Sequence, residues 1–311
     1  MNKHHLITFA ASLFLAVTAS AAIKPDLTVK LYPKGQNVDE GIALGPGESN
    51  GIKEEMKEIK THVYENVTDP FINIYLPKKC NGQMMIICPG GGYKNVWSVH
   101  EGELVAEWAV KRGIAACVVI YRLPNLHAKV PLTDVQNTFR YCRANAEKWG
   151  VKQIGVVGFS AGGHLAASAS TLFVDTVTRP DFSILIYPVI SFGVSRHNGT
   201  KKNLVGENAS EEISDYYSLE KRVTPMTPPA FIALSQDDKG VKPENSILYY
   251  QSLIRNGVSG ELHIYTKGGH GWGFGKRFPE DPNSPDLLEE QRVDFDKALE
   301  RWLEYIKTNV K

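Results

Sequence analysis

Charge of one sign is missing from this sequence: 35 lysines and arginines stand against 34 aspartates and glutamates, a formal net charge of +1. So even a balance leaves no basic footprint for nucleic acid and no acidic disordered tail. Cysteine is scarce as well. The four present, Cys80, Cys88, Cys117 and Cys142, include no pair two to four residues apart, so the spacing excludes a zinc finger or ribbon. Cys88 and Cys117 lie inside apolar, strand-like runs and read as buried free thiols, whereas Cys80 stands in a polar loop and its state is left open. No repeat with a period of about 20–50 residues is visible, which removes solenoids and propellers.

The apolar stretch near the start, Leu6 to Val17, is too short to span a bilayer comfortably. It follows a short basic leader, Met1-Asn2-Lys3-His4-His5, and precedes the small residues Thr18-Ala19-Ser20-Ala21-Ala22. That order is a signal peptide over residues 1–22, cut after Ala21 or Ala22, and no cysteine at the cut suggests a lipoprotein. The expectation is an exported protein, periplasmic or secreted in a bacterium, with no membrane contact once cleaved. The remaining 23–311 suffices for one large α/β domain.

Along that domain, strand patterns appear at Leu27–Tyr32, Ile59–Tyr64 and Ile72–Leu76, the last two reading as an antiparallel edge hairpin stopped by Pro77. Strands and helices then alternate. Continuous apolar runs at 84–88, 114–121, 154–157, 182–189 and 230–234 predict strands buried on both faces, and 261–265 a further strand. Helical spacing falls at 103–111, 132–149, 164–172, 244–255 and 288–306. Alternation of this kind implies a doubly wound, mostly parallel sheet, because parallel strands need crossover helices. Residues 191–229, rich in Gly, Pro, Ser and Asp, break the rhythm and predict an insertion over the sheet edge, with a short helix near 211–217.

The chemistry-bearing residues fall at strand ends. Gly158-Phe159-Ser160-Ala161-Gly162 sits between a strand and a helix and has the pattern of a nucleophile elbow. A Cβ at Gly158 or Gly162 would collide with strand or helix, and the turn strains the serine so that its hydroxyl stands clear of the sheet. A serine nucleophile needs a base, an acid that orients it, and donors for the oxyanion. His270, in Gly268-Gly269-His270-Gly271-Trp272-Gly273, follows the last strand and is the candidate base. Asp237 and Asp238 follow strand 230–234 and compete for the acid's role. Neighbours on an extended segment point opposite ways, so only one can face the histidine. Pro89-Gly90-Gly91-Gly92-Tyr93 follows strand 84–88 and offers backbone N–H groups at Gly91 and Gly92, joined by that of Ala161 at the helix N-terminus. A glycine loop can instead cradle phosphate, but no Gly-Lys-Ser/Thr ending follows it. Tyr93 and Trp272 are the candidate pocket residues, Trp272 with the alternative of packing on the histidine loop. His164 reads as a locally hydrogen-bonded residue.

The order of oxyanion loop, serine, acid and histidine is that of α/β-hydrolases. From about residue 70 to 306 the chain resembles an α/β-hydrolase of the bacterial hemicellulose-esterase type, which includes acetylxylan and feruloyl esterases. The residues that carry this are Pro89 to Tyr93, Tyr121-Arg122-Leu123-Pro124, Gly158 to Leu165, Asp237-Asp238-Lys239 with Glu244-Asn245-Ser246, and Gly268 to Gly271. The resemblance implies a serine carboxylesterase that removes acetyl or other short acyl groups from carbohydrate such as xylan, with no cofactor and no metal. Similar enzymes often place a hydrophobic residue three positions after the acid, as Val241 stands, which favours Asp238. The alternatives are a feruloyl esterase, a serine exopeptidase, and, in another class, a non-catalytic glycan-binding member of the fold. An exopeptidase relative usually carries a large additional N-terminal domain, for which residues 23–60 are too few, and a non-catalytic member is expected to lack a triad residue. The preferred sugar and the oligomeric state are not legible in the sequence.

Overall fold

The apolar runs become the middle of an eight-stranded sheet. The computed structural model describes residues 23–33, 47–60, 62–274 and 286–310, so the leader segment 1–22 lies outside the described residues. In chain order the elements are β1 (Leu27–Lys30), β2 (Lys57–Lys60), β3 (Val63–Glu65), β4 (Phe71–Tyr75), β5 (Gln83–Cys88), β6 (Val96–Trp97), α1 (Leu104–Lys111), β7 (Ala115–Ile120) and α2 (Val130–Asn145). There follow β8 (Gln153–Phe159), α3 (Ser160–Thr171), β9 (Ser183–Ile186), α4 (Asn198–Val205), α5 (Glu211–Tyr216), β10 (Ala230–Ser235), α6 (Glu244–Arg255), β11 (Gly260–Tyr265) and α7 (Glu289–Asn309). The main sheet has the order β1-β4-β7-β5-β8-β9-β10-β11. Its six strands from β7 to β11 run parallel, and β4 and β1 add an antiparallel edge.

Every residue of β5, β7, β9 and β10 is buried. Strands of that kind need cover on both faces, and crossover helices supply it. The last helix, α7, lays Phe295, Leu299, Trp302, Leu303 and Ile306 against the core. The nucleophile helix α3 is buried along almost its whole length. Small residues let it sit that deep, and the hydroxyls of Ser168, Ser170 and Thr171 each donate to a carbonyl one turn back, so none of these three is left without a partner. All four cysteines are free thiols: Cys88, Cys117 and Cys142 buried, Cys80 half-buried.

Three features differ from the expectation. The run 59–64 is not one strand paired with 72–76. A left-handed residue, His62 (φ 52°), reverses the chain inside it, and the halves form a separate three-stranded sheet in the order β2-β3-β6. Freed of that partner, β4 buries Ile72, Ile74 and Tyr75 between β1 and β7. Second, the elbow helix begins at Ser160 itself rather than at residue 164. Third, the insertion holds two helices, α4 and α5, with a 3₁₀ turn at Leu219–Lys221, and its bonds reach the loop after β5 and the helix after β8, both central strands, rather than the sheet edge. Asn203 reaches the glycine loop after β5, and the Tyr217 carbonyl receives a bond from His164 on α3.

Candidate active site

Adjacent strands β5 and β8 bring the glycine loop beside the elbow, while β10 and β11 carry the acid and histidine loops two positions away. Strand β9 lies between these pairs, and the residue after it, Tyr187, fills the gap.

Ser160 has φ 52°. A non-glycine residue in that left-handed region costs about 1–3 kcal/mol and persists only where its surroundings hold it. They do so by close approach. A Cβ at Gly162 would stand 2.1 Å from the Cys88 carbonyl oxygen and 2.4 Å from that of Pro89, and one at Gly158 would stand 2.2 Å from the Gly162 carbonyl oxygen. The helix therefore presses directly on the end of β5, which no side chain would permit.

The Ser160 hydroxyl lies 2.8 Å from His270 Nε2, and His270 Nδ1 lies 2.7 Å from Asp238 Oδ2. Asp238 is buried, and its other oxygen accepts from the N–H groups of Gly240 at 2.8 Å and Val241 at 2.9 Å. Asp237 faces elsewhere. Its Oδ1 accepts from the Gly269 N–H at 2.9 Å, directly before the histidine, and Lys267 Nζ stands 3.7 Å from its other oxygen. Both acids thus serve the histidine loop, one through the ring and one through the backbone.

The glycine loop offers only donors to the site, because all its carbonyls are occupied. Pro89 O accepts from the Tyr121 hydroxyl at 2.7 Å and Gly90 O from the Trp97 N–H at 3.2 Å. Gly91 O takes the N–H groups of Lys94 and Asn95, both at 3.0 Å, and Gly92 O takes the Asn203 side-chain amide at 2.8 Å. The Gly90 N–H is itself committed, 2.7 Å from Glu101 Oε2. Among the described residues the N–H groups of Gly91, Gly92 and Ala161 find no acceptor. Backbone donors gathered without carbonyls beside a helix N-terminus form a site for negative charge.

The two candidate pocket residues are corrected. Trp272 is wholly buried and packs edge-on against Tyr187 and Phe295, at centroid distances of 5.1 and 5.3 Å, so it presents no surface to a substrate. Tyr93 is buried too, with its hydroxyl 3.1 Å from His164 Nδ1. His164 bonds far from its own turn: Nδ1 accepts from the Tyr93 hydroxyl, and Nε2 donates to the Tyr217 carbonyl at 2.9 Å. Burial lowers the pKa of its ring to about 4, so it is a neutral strut rather than a proton carrier.

No motif in the sequence points to Glu101, Tyr187, His197 or Asn203. His197 caps α4 by accepting the Thr200 N–H on Nδ1, and burial, then the nearby His270 charge, lower its pKa. Residues of this kind stand in no motif, because their partners are brought to them only by the fold.

A family model described as BD-FAE matches residues 72–253, more than half of the chain. The chain belongs to the BD-FAE family. An acetylxylan esterase of Xylanibacter ruminicola is 39% identical over 211 residues, 66% of this chain and 44% of that protein. Endo-1,4-beta-xylanase B of Butyrivibrio fibrisolvens is 37% identical over 204 residues, 60% of this chain and 32% of that protein. The matched region thus spans less than half the length of either curated relative. Among solved structures, an acetyl ester-xyloside bifunctional hydrolase of Caldicellulosiruptor lactoaceticus superposes with a TM-score of 0.72 at 31% identity, covering 93% of this chain and 99% of that one. A carboxylesterase of Lactobacillus plantarum superposes with a TM-score of 0.66 at 23% identity over 81% of this chain and 96% of that one, a likeness of fold. The BD-FAE chain is an α/β-hydrolase in architecture.

Proposed function

We propose that the protein is an exported serine carboxylesterase that removes acetyl or other short acyl groups from carbohydrate such as xylan. The observation that carries the reading is the unbroken relay from Ser160 through His270 to Asp238, at 2.8 and 2.7 Å. The loop of free N–H groups beside it supports an acyl substrate, and the names of the relatives support a xylan-linked ester.

In this mechanism His270 Nε2 takes the Ser160 proton as Oγ attacks the acyl carbonyl. The carbonyl oxygen gains a negative charge, and Gly91, Gly92 and Ala161 donate to it. Collapse expels the sugar oxygen, which leaves with the proton from His270, and an acyl-enzyme stays on Ser160. Water, deprotonated by His270, then attacks that ester and releases the carboxylic acid. Asp238 holds the ring in its Nδ1–H form and stabilises the imidazolium. Residues 23–311 act in this proposal as one α/β-hydrolase domain released from the leader 1–22. Among the described residues no helix is long and apolar enough to cross a membrane.

Ser160→Ala is expected to lower hydrolysis of an aryl acetate by at least about a thousandfold, with folding unchanged by circular dichroism. Near-normal turnover would sink the assignment. Release of acetate, ferulate or amino acids from acetylated xylan, feruloylated arabinoxylan and a peptide panel, measured side by side, fixes the acyl class. Acetate alone is the expected product.

A further inference from the structure

The proposed reaction needs two loops from opposite sides of the nucleophile strand to stand in fixed relation: the oxyanion loop after β5 and the histidine loop after β11. Between them is one carboxylate that the relay does not use. Glu101 sits in a short π-helical turn, Val99–Glu103, ahead of α1, and is only 4% exposed. Its Oε2 accepts the Gly90 N–H at 2.7 Å. Its Oε1 accepts the Tyr187 hydroxyl at 2.9 Å. That hydroxyl in turn accepts the Gly273 N–H at 2.8 Å, three residues after His270. The path Gly90–Glu101–Tyr187–Gly273 thus joins the two loops beneath the site through three hydrogen bonds. Neighbouring contacts reinforce it. His100 Nε2 donates to the Gly271 carbonyl at 3.1 Å, and the Tyr187 ring lies 4.8 Å from the His270 ring, centroid to centroid.

Glu101 also decides which amides face the substrate. By drawing the Gly90 N–H down, it leaves the next two N–H groups as the free ones. There is no slack in this arrangement: a Cβ on Gly90 would stand 2.7 Å from Glu101 Oε2 and 3.0 Å from the Ser160 Cβ. The carboxylate, the loop backbone and the nucleophile are packed against one another. Tyr187 holds its end at φ 37°, a left-handed conformation that a tyrosine adopts only when its surroundings fix it.

We infer that Glu101 is a positioning residue for the reaction: with Tyr187 it sets the oxyanion loop and the histidine loop at a fixed separation across Ser160. The inference rests on the esterase reading above. Buried carboxylates with both oxygens engaged by donors rigidify what they join, and a misplacement of about 1 Å at a reacting centre costs about a hundredfold in rate.

The test compares Glu101→Gln, Glu101→Leu and Tyr187→Phe with the wild type. Tyr187→Phe cuts the path on the histidine side and leaves the Gly90 bond intact. Glu101→Gln keeps an oxygen for Gly90, but its amide forces the Tyr187 hydroxyl to turn, leaving that proton without an acceptor. Glu101→Leu removes both bonds. Expected are falls in kcat on an aryl acetate of about tenfold to a hundredfold in the first two, greater in Glu101→Leu, with KM changed less than about threefold. Inhibition by phenylboronic acid, whose tetrahedral adduct on Ser160 fills the oxyanion site, should weaken in proportion to kcat/KM. The double variant Glu101→Gln/Tyr187→Phe should lose little more than the worse single one, because both interrupt one path. A merely structural role would lower the melting temperature while leaving kcat and boronate affinity intact at 25 °C. That result in Glu101→Gln and Tyr187→Phe would overturn the inference, even if Glu101→Leu does not fold. An inactive wild type, by contrast, would reject the esterase reading and not the tie.

Discussion

Asp237 and Asp238 are adjacent in sequence and differ in what they hold. Asp238 is buried with one oxygen on His270 and the other on two backbone N–H groups, whereas Asp237 holds only the Gly269 amide and a distant lysine. Replacing Asp238 by Asn presents an amide to Nδ1 and selects the wrong tautomer, so kcat on an aryl acetate should fall about ten-thousandfold. Asp237→Asn keeps an oxygen for the Gly269 N–H and gives up only its charge beside Lys267, so it should cost less than about tenfold, the rate equivalent of roughly 1 kcal/mol. Steady-state kinetics of the two variants decide, and a larger loss at Asp237 would exchange their roles. At this scale the sequence was informative wherever a residue does its work inside a motif. Ser160, His270 and the glycines after β5, the residues of the proposed site, are legible because the turn, the loop and the strand end are all local. Glu101, Tyr187 and Asn203 are not. Each meets its partner across 11, 86 or 111 residues of chain, and nothing local signals such a meeting.

Among the elements, β7 and α2 are joined by a buried ion pair. Arg122, just past β7, reaches Asp134 on α2 at 2.5 Å, with side-chain exposures of 5% and 0%. The same guanidinium donates to the Glu48 carbonyl at 2.5 Å and the Tyr32 hydroxyl at 3.3 Å, which pins the opening segment to the domain. Arg122→Ala strands a buried carboxylate and should lower unfolding stability by about 3–5 kcal/mol. Arg122→Met/Asp134→Leu, which removes both charges, should recover most of that in urea denaturation. A single variant as stable as the wild type would show that the pair holds nothing. The buried strands β5, β7, β8 and β10 followed from the sequence because continuous apolar runs admit one burial pattern, whereas β6 and α4 carry no such run and β9 is shorter than its apolar stretch. The 57–65 hairpin did not follow, since its reversal falls at His62, with no glycine or proline nearby to mark a turn in the 59–64 pattern. Nor did the start of α3, because glycines at 162 and 163 weaken a helical pattern that packing nevertheless enforces.

For the whole molecule, His164 couples folding to pH. Its ring is fully buried and titrates at about 4 in the fold against 6.5 in an open chain. Between those values the unfolded chain binds the proton and the folded one does not. Stability is therefore fully present above about pH 6.5 and falls as the pH drops to 4, by about 3 kcal/mol at the limit. His164→Gln can keep both hydrogen bonds without a titrating ring. Urea midpoints at pH 7 and 4.5 should differ less in that variant than in the wild type, and an equal difference would remove His164 as the source. The occupied carbonyls of residues 89–92 also constrain how such a chain can diverge. Their partners come from the end of β7, from β6, from the loop's own turn and from α4, so four separate parts of the molecule hold a share of one short loop. A change there has to be matched in several places at once. Variation in what the proposed site accepts is therefore expected in the side chains around the loop rather than in its backbone.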